Sequence, residues 1–176
     1  VNEIPGNFWV RFVSSNPWDM SHETIKAVSE CEKMCEYIHL PIQAGSDTTL
    51  QRMNRHHTVN HYMGLIEKIN TTIPNAAITT DIIVGFPGET DKEFLGTKKV
   101  MEDVRYDQAF IAQYSPRPGT IAENVYPDDV PQQTKKERHN VLTEILHKTA
   151  KEHSDAMIGS TVPILAESEK DGMIFG

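Results

Sequence analysis

The stretch from residue 79 to residue 90, TTDIIVGFPGET, constrains the fold of this chain more than any other. Its first half is a run of β-branched and apolar residues, which is typical of a strand buried on both faces. Its second half, GFPG, is a turn sequence. Thr90 and Glu93 have the spacing of a capping box, so a helix is expected to begin at Asp91. This order predicts one βα unit of an α/β protein.

This βα turn alone has two interpretations. Glycine lets a backbone approach a ligand closely, and a helix N-terminus favours negative charge, so the turn suits a bound ligand. A tight turn that binds nothing has the same local sequence. The loops that follow the other strands therefore decide between these interpretations.

Four predicted strands alternate with helices along the chain. The strands are expected at residues 8–15, 37–43, 79–84 and 108–113, with Pro41 marking an irregular or edge position in the second. Helices are expected after Ser21, over residues 48–53, 59–70 and 91–104, and from Pro131 to Gly159. Such alternation predicts a parallel sheet built from βα units with right-handed crossovers.

Polar loops follow all four predicted strands at their carboxyl ends. Their sequences are SSNP, QAGSD, GFPGET and YSPRPGT. In barrels and open α/β sheets the functional site lies at the carboxyl-end face, where such loops meet. Four polar loops on one face predict a ligand site there.

The last residues follow a different pattern. Residues 161–167 have strand-like sequence, Asp171 and Gly172 form a hairpin signal, and residues 173–175 fit a return strand. This pattern predicts the first hairpin of a separate small β domain.

Composition excludes several classes of protein. The chain has 176 residues, enough for one sizeable core, and no apolar run that predicts a membrane span. Its formal net charge of −8 argues against a surface that attracts nucleic acid as a whole. Two local basic segments, residues 52–57 and 135–138, are RNA-contact candidates, although solvated helix faces are the favoured interpretation. Two cysteines and no secretory signal favour a reducing compartment, the cytoplasm.

The two cysteines have the spacing CxxxC. Cys31 and Cys35 continue the apolar positions of the first helix, and buried free cysteine behaves as a small hydrophobe. An iron–sulfur site of the CxxxCxxC type needs a third thiolate, and that position is occupied by Ile38. The favoured interpretation is therefore a pair of core residues.

Two histidines have the i,i+4 spacing of a zinc pair on a helix. His57 and His61 flank Thr58, which fits a helix N-cap, and no third ligand is evident nearby. Exposed histidines near a helix start are the favoured interpretation.

Four segments together resemble the radical S-adenosylmethionine (SAM) methylthiotransferases. They are HLPIQAGS at 39–46, MNR at 53–55, the stretch 81–90, and YSPRPGT at 114–120. The resemblance extends from about Arg11 to about Gly159, and the tail is similar to the start of the family's TRAM domain, a small RNA-binding β barrel. The QAGS and YSPRPGT forms resemble the MiaB-like branch, which modifies tRNA. Ala44 departs from the family, where serine is more usual.

The resemblance implies an α/β fold. Residues 1–158 would form the C-terminal four βα units of a partial, six-stranded, TIM-like barrel, and residues 159–176 would begin a truncated TRAM domain. The cluster-binding CxxxCxxC loop would lie upstream of Val1, so the chain would hold no metal ligand and no catalytic residue of its own. The fragment alone is therefore expected to be inactive.

The resemblance also implies an activity. The complete enzyme would be a transferase that uses SAM and 4Fe–4S clusters to generate a 5′-deoxyadenosyl radical. It would add a methylthio group to carbon 2 of an isopentenyl-modified adenosine beside the anticodon. Its partners would be the tRNA anticodon stem-loop and an electron donor such as flavodoxin or ferredoxin, with no membrane.

Three other functions remain open from the sequence. A related branch would act on threonylcarbamoyl-adenosine in tRNA or on a ribosomal-protein aspartate. A non-catalytic α/β ligand-binding domain and an aldolase-type barrel fragment are the other two. The aldolase is disfavoured because no predicted strand ends in the lysine that Schiff-base chemistry requires.

Six strand-end residues are expected to bind the cofactor. Polar side chains would bond its ribose or methionine carboxylate, and an apolar wall would receive its adenine. The polar set is Ser14, Gln43 and Ser46, and the apolar set is Ile83, Gly85 and Phe86.

Two arginines are the substrate-binding candidates. Arg117, in a proline-rich loop, is the first choice for a tRNA phosphate or base contact, and Arg55 is the second. Asp81 is either a satisfied buried group or a site residue. Glu89 is expected to cap the helix that follows it.

Overall fold

A computed structural model describes residues 1–175 of the chain. Its helices are α1 (His22–Glu30), α2 (Asp47–Arg52), α3 (Val59–Thr72), α4 (Asp91–Val104), α5 (Ile121–Val125) and α6 (Gln132–Ala156). Its strands are β1 (Tyr37–His39), β2 (Ala77–Val84), β3 (Gln108–Gln113), β4 (Ser168–Lys170) and β5 (Met173–Phe175). Within residues 1–175, no helix has the length and apolar character needed to cross a membrane.

The central sheet has the order β1-β2-β3, and both pairs of neighbouring strands are parallel. His39 of β1 lies opposite Thr79 of β2, and Asp81 lies opposite Phe110 of β3. Helices connect the strands, as parallel neighbours require. The prediction of a parallel α/β sheet is confirmed.

Strand β2 is buried unequally on its two faces. Ile78, Ile82 and Val84 point into the main core, where side chains of the helices pack against the sheet. On the opposite face, Asp81 and Ile83 are only half-buried. The expectation of burial on both faces therefore fails at the carboxyl end of β2, and this end opens into a cavity.

Helix starts follow the predicted capping residues. Thr90 and Glu93 form a complete capping box at the start of α4. The hydroxyls of Ser21 and Thr58 accept backbone N–H groups at the starts of α1 and α3, and Pro131 directly precedes α6. The short helix α5 lies outside the helices that the sequence pattern predicts.

The first two predicted strands are shorter than their sequences suggest. In segment 8–15, Val10 forms only an isolated bridge with Met34, and the N–H of Ser15 donates to the carbonyl of His39. A regular ladder is not possible there because residues 32–36 form turns and a single bridge. Strand β1 ends at His39, shortly before Pro41, which has no N–H to donate to a sheet.

The tail forms a hairpin at a later position than predicted. Strands β4 and β5 pair antiparallel around Asp171 and Gly172, as the turn sequence predicts. Residues 161–167 are irregular, so the strand predicted there is wrong. Residues 159–175 are exposed and add nothing to the core. The assignment of a TRAM domain from residue 159 stays a prediction.

Candidate ligand-binding site

A cavity of about 810 Å³ opens at the carboxyl ends of β2 and β3. Five of the predicted site residues line it: Gln43, Arg55, Ile83, Phe86 and Arg117. The loops after β1, β2 and β3 and the helix α5 contribute its walls. Three of the four predicted polar loops therefore meet in one site, whereas the SSNP loop at residues 14–17 contributes no residue to the lining.

Three other predicted residues lie outside this lining. Ser14 is exposed on the segment beside β1, and Ser46 is half-buried at the start of α2. Gly85 is buried and faces α6, where an added Cβ would lie 2.3 Å from Cγ of Lys135. Contacts of these three residues with a cofactor stay predictions.

Gln43 joins the loop after β1 to the floor of the cavity. Its N–H donates to the carbonyl of Asp81, and its carbonyl accepts the N–H of Ile83. Each hydrogen bond is 2.9 Å long. Its backbone φ of 74° lies in the left-handed region, which residues other than glycine and asparagine rarely adopt. The two backbone hydrogen bonds to β2 hold Gln43 in this strained conformation. Strained backbone conformations cluster at ligand-binding positions.

An aromatic cluster forms one wall of the cavity. The ring of Phe86 meets Tyr114 edge-on at 5.0 Å and Tyr126 at 6.1 Å. The hydroxyl of Tyr114 is buried without a hydrogen-bond partner among residues 1–175. Loss of hydration raises the pKa of Tyr114, and the carboxylate of Asp128 adds to this effect. Such a wall suits a planar aromatic ligand.

Three arginines of the cavity lining differ in environment. Arg52 donates to Glu93 at 3.1 Å, so its charge is already paired. Arg55 is half-buried; burial lowers its pKa, and the Asp81 carboxylate opposes this change. Arg117 is exposed in the loop after β3. Arg55 and Arg117 therefore supply the positive charge available to an anionic ligand.

The sequence pattern of the radical SAM superfamily matches residues 6–101, which is more than half of the chain. This chain belongs to the radical SAM superfamily. The fold of the chain is similar to that of coproporphyrinogen III oxidase (HemN) from Escherichia coli, described as a radical SAM enzyme, with a TM-score of 0.66. That match covers 80% of this chain and 32% of the other at 17% identity, and so concerns the fold alone.

Curated relatives of this radical SAM chain carry the name tRNA-2-methylthio-N(6)-dimethylallyladenosine synthase. The protein of Acetivibrio thermocellus is 47% identical, and that of Thermoanaerobacter pseudethanolicus is 46% identical. Each match covers 95% of this chain and 35% of the relative. The chain therefore spans about a third of the length of these relatives. The resemblance to methylthiotransferases is confirmed.

In this radical SAM chain, Glu89 supports the GFPG loop from inside. Its side chain is 1% exposed, and Oε2 accepts the N–H of Gly85 at 2.7 Å and Nη1 of Arg138 at 2.8 Å. Burial raises the pKa of Glu89, whereas the Gly85 N–H and the Arg138 guanidinium lower it and so oppose this rise. The prediction that Glu89 caps α4 is wrong, because the capping box of Thr90 and Glu93 serves that helix.

The basic segment 135–138 belongs partly to the interior. Lys135 is 1% exposed, and its Nζ donates to both carboxylate oxygens of Asp128 and to the carbonyl of Tyr114. Arg138 is 5% exposed and pairs with Glu89 and Asp91. Neither residue is solvated, and neither is available to RNA. The two interpretations of this segment, a solvated helix face and an RNA contact, are therefore both wrong at these two positions.

The cysteines lie outside the core helix. Helix α1 ends at Glu30, so Cys31 follows it, and Cys35 precedes β1. Both thiols are free and half-buried, and Cys31 donates to the Asn2 side chain at 3.0 Å. The predicted core stripe is wrong because the chain turns after Glu30. Both cysteines lie near the amino end of β1, so they do not fit a cluster at the cavity.

The two histidines have separate partners. His57 is 5% exposed, its Nε2 lies 3.3 Å from the carbonyl of Ile42, and burial lowers its pKa. His61 Nε2 lies 3.0 Å from the carbonyl of Pro17. The expectation of exposed histidines is therefore wrong for His57. In residues 1–175, no three His, Cys, Asp or Glu side chains are arranged to hold a metal.

Proposed function

We propose that this chain is the barrel portion of a transferase that adds a methylthio group to carbon 2 of N6-dimethylallyl-adenosine (isopentenyl-modified adenosine) beside the tRNA anticodon. The observation that carries this proposal is the 47% identity over 95% of the chain with a synthase of that name. A match of this extent includes the whole cavity region. Under this proposal the chain belongs to a longer polypeptide, the complete enzyme.

The residues present fit S-adenosylmethionine as the cofactor. Ile83 and Phe86 offer an apolar wall for adenine, and Gln43 offers a polar side chain beside it. When bound and reduced by a 4Fe–4S cluster held outside this chain, the cofactor supplies the radical chemistry that removes a hydrogen atom from the substrate. The cavity walls bind and orient ligands and exclude water.

The substrate side of the proposal rests on charge and position. Arg55 lines the cavity, and Arg117 stands exposed at its edge, so the two arginines suit the phosphates of an anticodon stem-loop. The net charge of −8 makes a local contact of this kind more suitable than binding across the whole surface. We further propose a cytoplasmic enzyme served by an electron donor such as flavodoxin or ferredoxin.

The proposed function is tested by incubating the complete enzyme anaerobically with SAM, reductant and defined RNAs. The RNAs are anticodon stem-loops carrying dimethylallyl-adenosine, threonylcarbamoyl-adenosine or unmodified adenosine. Mass spectrometry of the digested nucleosides is expected to show a methylthio product from the dimethylallyl substrate alone. A product only from the threonylcarbamoyl substrate, or from a ribosomal protein supplied instead, would transfer the chain to another branch. SAM binding without any product would favour a non-catalytic ligand-binding domain.

Arg117→Ala in the complete enzyme is expected to weaken binding of the anticodon stem-loop by about 1–3 kcal/mol, because an exposed guanidinium contact to RNA is lost. SAM cleavage in the absence of RNA should persist, since the cofactor does not depend on this contact. Electrophoretic mobility shifts and release of 5′-deoxyadenosine measure the two effects. Equal loss of both would assign Arg117 to structure or to the cofactor. Arg11→Ala, at an exposed arginine outside the cavity lining, is the matched control.

Replacing Cys31 and Cys35 together with alanine is expected to leave the iron content of the complete enzyme unchanged. The physical reason is that these thiols lie at the amino end of β1, whereas the cavity lies at the carboxyl ends of the strands. Iron and sulfide are measured on anaerobically purified protein. Loss of iron from a variant with an unchanged circular dichroism spectrum would contradict this placement.

A further inference from the structure

Four polar side chains form a connected row on the face of the sheet that points away from the core helices. They alternate along β1 and β2, as residues on one face of a strand must. The Thr79 hydroxyl donates to the Tyr37 phenol at 3.0 Å, and His39 Nδ1 lies 2.8 Å from the same Thr79 oxygen. His39 Nε2 lies 3.5 Å from Oδ1 of Asp81. The row thus leads from the start of β1 to the cavity, which Asp81 lines.

The row fixes the orientation of the His39 ring. With Nδ1 held 2.8 Å from the Thr79 oxygen, the opposite ring nitrogen, Nε2, is directed at Asp81. His39 as a whole residue is 8% exposed, and its ring packs edge-to-face with the ring of Phe110, with 6.0 Å between the ring centroids. The imidazole therefore lies beside the carboxylate of Asp81, with Nε2 3.5 Å from Oδ1. Second partners of this kind orient functional side chains in many sites.

Asp81 itself remains open to a ligand. Its side chain is 41% exposed, and its contact with His39 uses one carboxylate oxygen. Ile83 follows on the same face of β2 and presents an apolar surface, while Arg55 supplies an opposite charge nearby. A carboxylate can only accept hydrogen bonds, so its ligand must donate an N–H or O–H. A carboxylate beside an apolar wall suits a nucleoside, whose base packs while its polar groups donate.

We propose that Asp81 binds a nucleoside in this cavity by accepting a hydrogen bond from one of its N–H or O–H groups. His39 is the positioning residue that aims the carboxylate, and Thr79 fixes His39. The inference rests on the proposed function for the presence of a nucleoside. Two nucleosides meet this description, the adenosine part of SAM and the target adenosine of the RNA, and they share the same donor chemistry.

The test is Asp81→Asn in the complete enzyme, which keeps the shape of the side chain and replaces one acceptor oxygen with a donor. Affinities for SAM and for a dimethylallyl-adenosine stem-loop are measured separately, with thermal unfolding as the check on folding. A fall of about tenfold or more in SAM affinity assigns the contact to the cofactor. The same fall for the stem-loop alone assigns it to the substrate. Both affinities within twofold of wild type would overturn the proposal.

The role of His39 is tested by a double-mutant cycle. His39→Leu is expected to weaken the same affinity severalfold in the wild-type background and to add nothing in the Asp81→Asn background, since it acts through Asp81. An equal loss in both backgrounds would overturn the positioning role. Thr79→Val repeats the cycle at the next side chain in the row if His39→Leu fails to fold. A wild-type enzyme that binds both nucleosides but transfers no methylthio group would refute the proposed function and leave this inference standing.

Discussion

Replacing Gly45 with alanine is expected to destabilise the chain by about 3 kcal/mol, near the upper end of the usual range for overpacking. An added Cβ would lie 2.4 Å from the Thr97 Cα and 2.5 Å from the Gly96 carbonyl oxygen, both backbone atoms of α4. A side chain can rotate away from such a contact, but a helix backbone must move as a whole. The hydrogen bond from the Gly45 N–H to the Thr97 hydroxyl, 2.9 Å long, would be lost with that movement.

Urea unfolding followed by circular dichroism measures this effect. Gly64→Ala is the matched control, because Gly64 lies in α3 and, apart from its chain neighbours and the backbone of its own helix, no atom lies within 4 Å of an added Cβ. That change should stabilise the chain by roughly 0.5–1 kcal/mol through helix propensity. A Gly45→Ala protein as stable as wild type would show that the loop after β1 does not pack on α4 as described. Loss of SAM affinity in Gly45→Ala is expected too, since Gln43 lies in the same loop.

This contact also shows what the sequence could and could not predict. Gly96 interrupts a helical pattern, and such a glycine often indicates a close approach of another segment. Its partner is Gly45, 51 positions earlier, and the Gly45 carbonyl would lie 2.4 Å from a Cβ at Gly96. The local sequence shows a glycine inside a helix but not what contacts it. Only the fold shows which loop it is.

The parts that the sequence predicts well are those with local causes. The α4 capping box depends on residues three apart, and the bounds of β3 follow from an apolar run between turn residues. The position of the site is predicted by the rule that functional loops lie at the carboxyl ends of parallel strands. The row from Tyr37 to Asp81 is not evident from the sequence, because it requires the register that sets His39 opposite Thr79.

The errors have long-range causes. Residues 8–15 have strand composition, but the segment beside them forms turns and offers no regular ladder. The helical pattern near the start of α6 predicts that its basic residues are solvated. Instead, Lys135 forms an ion pair with Asp128, and Arg138 forms one with Glu89. Charge composition does not show that each of these side chains is buried against a carboxylate from another part of the fold.

Arg138→Met is expected to destabilise the chain by about 3–5 kcal/mol at neutral pH, the range for breaking a buried ion pair. The side chains of Arg138 and Glu89 are 6% and 1% exposed, so the substitution leaves a carboxylate without its cation in the interior. The Gly85 N–H remains as a partner at 2.7 Å but carries no full charge. The GFPG loop, which this carboxylate holds from inside, should loosen with it.

The loss should depend on pH in a defined direction. Burial raises the pKa of Glu89 in the wild-type protein, and Arg138 opposes that rise, so methionine at position 138 should raise the pKa further. A carboxyl group whose folded pKa exceeds its unfolded pKa favours the folded state below the unfolded pKa, and this contribution is lost as pH rises through the folded pKa. The stability deficit of Arg138→Met should therefore be largest at neutral pH and shrink as the pH falls. The double variant Arg138→Met with Glu89→Gln has no titrating group at this position, whereas wild type keeps Glu89 with its raised pKa, so the deficit of the double variant relative to wild type should not grow as the pH rises. Urea unfolding at several pH values measures both, and a deficit of Arg138→Met that grows on acidification would contradict the role assigned to Glu89.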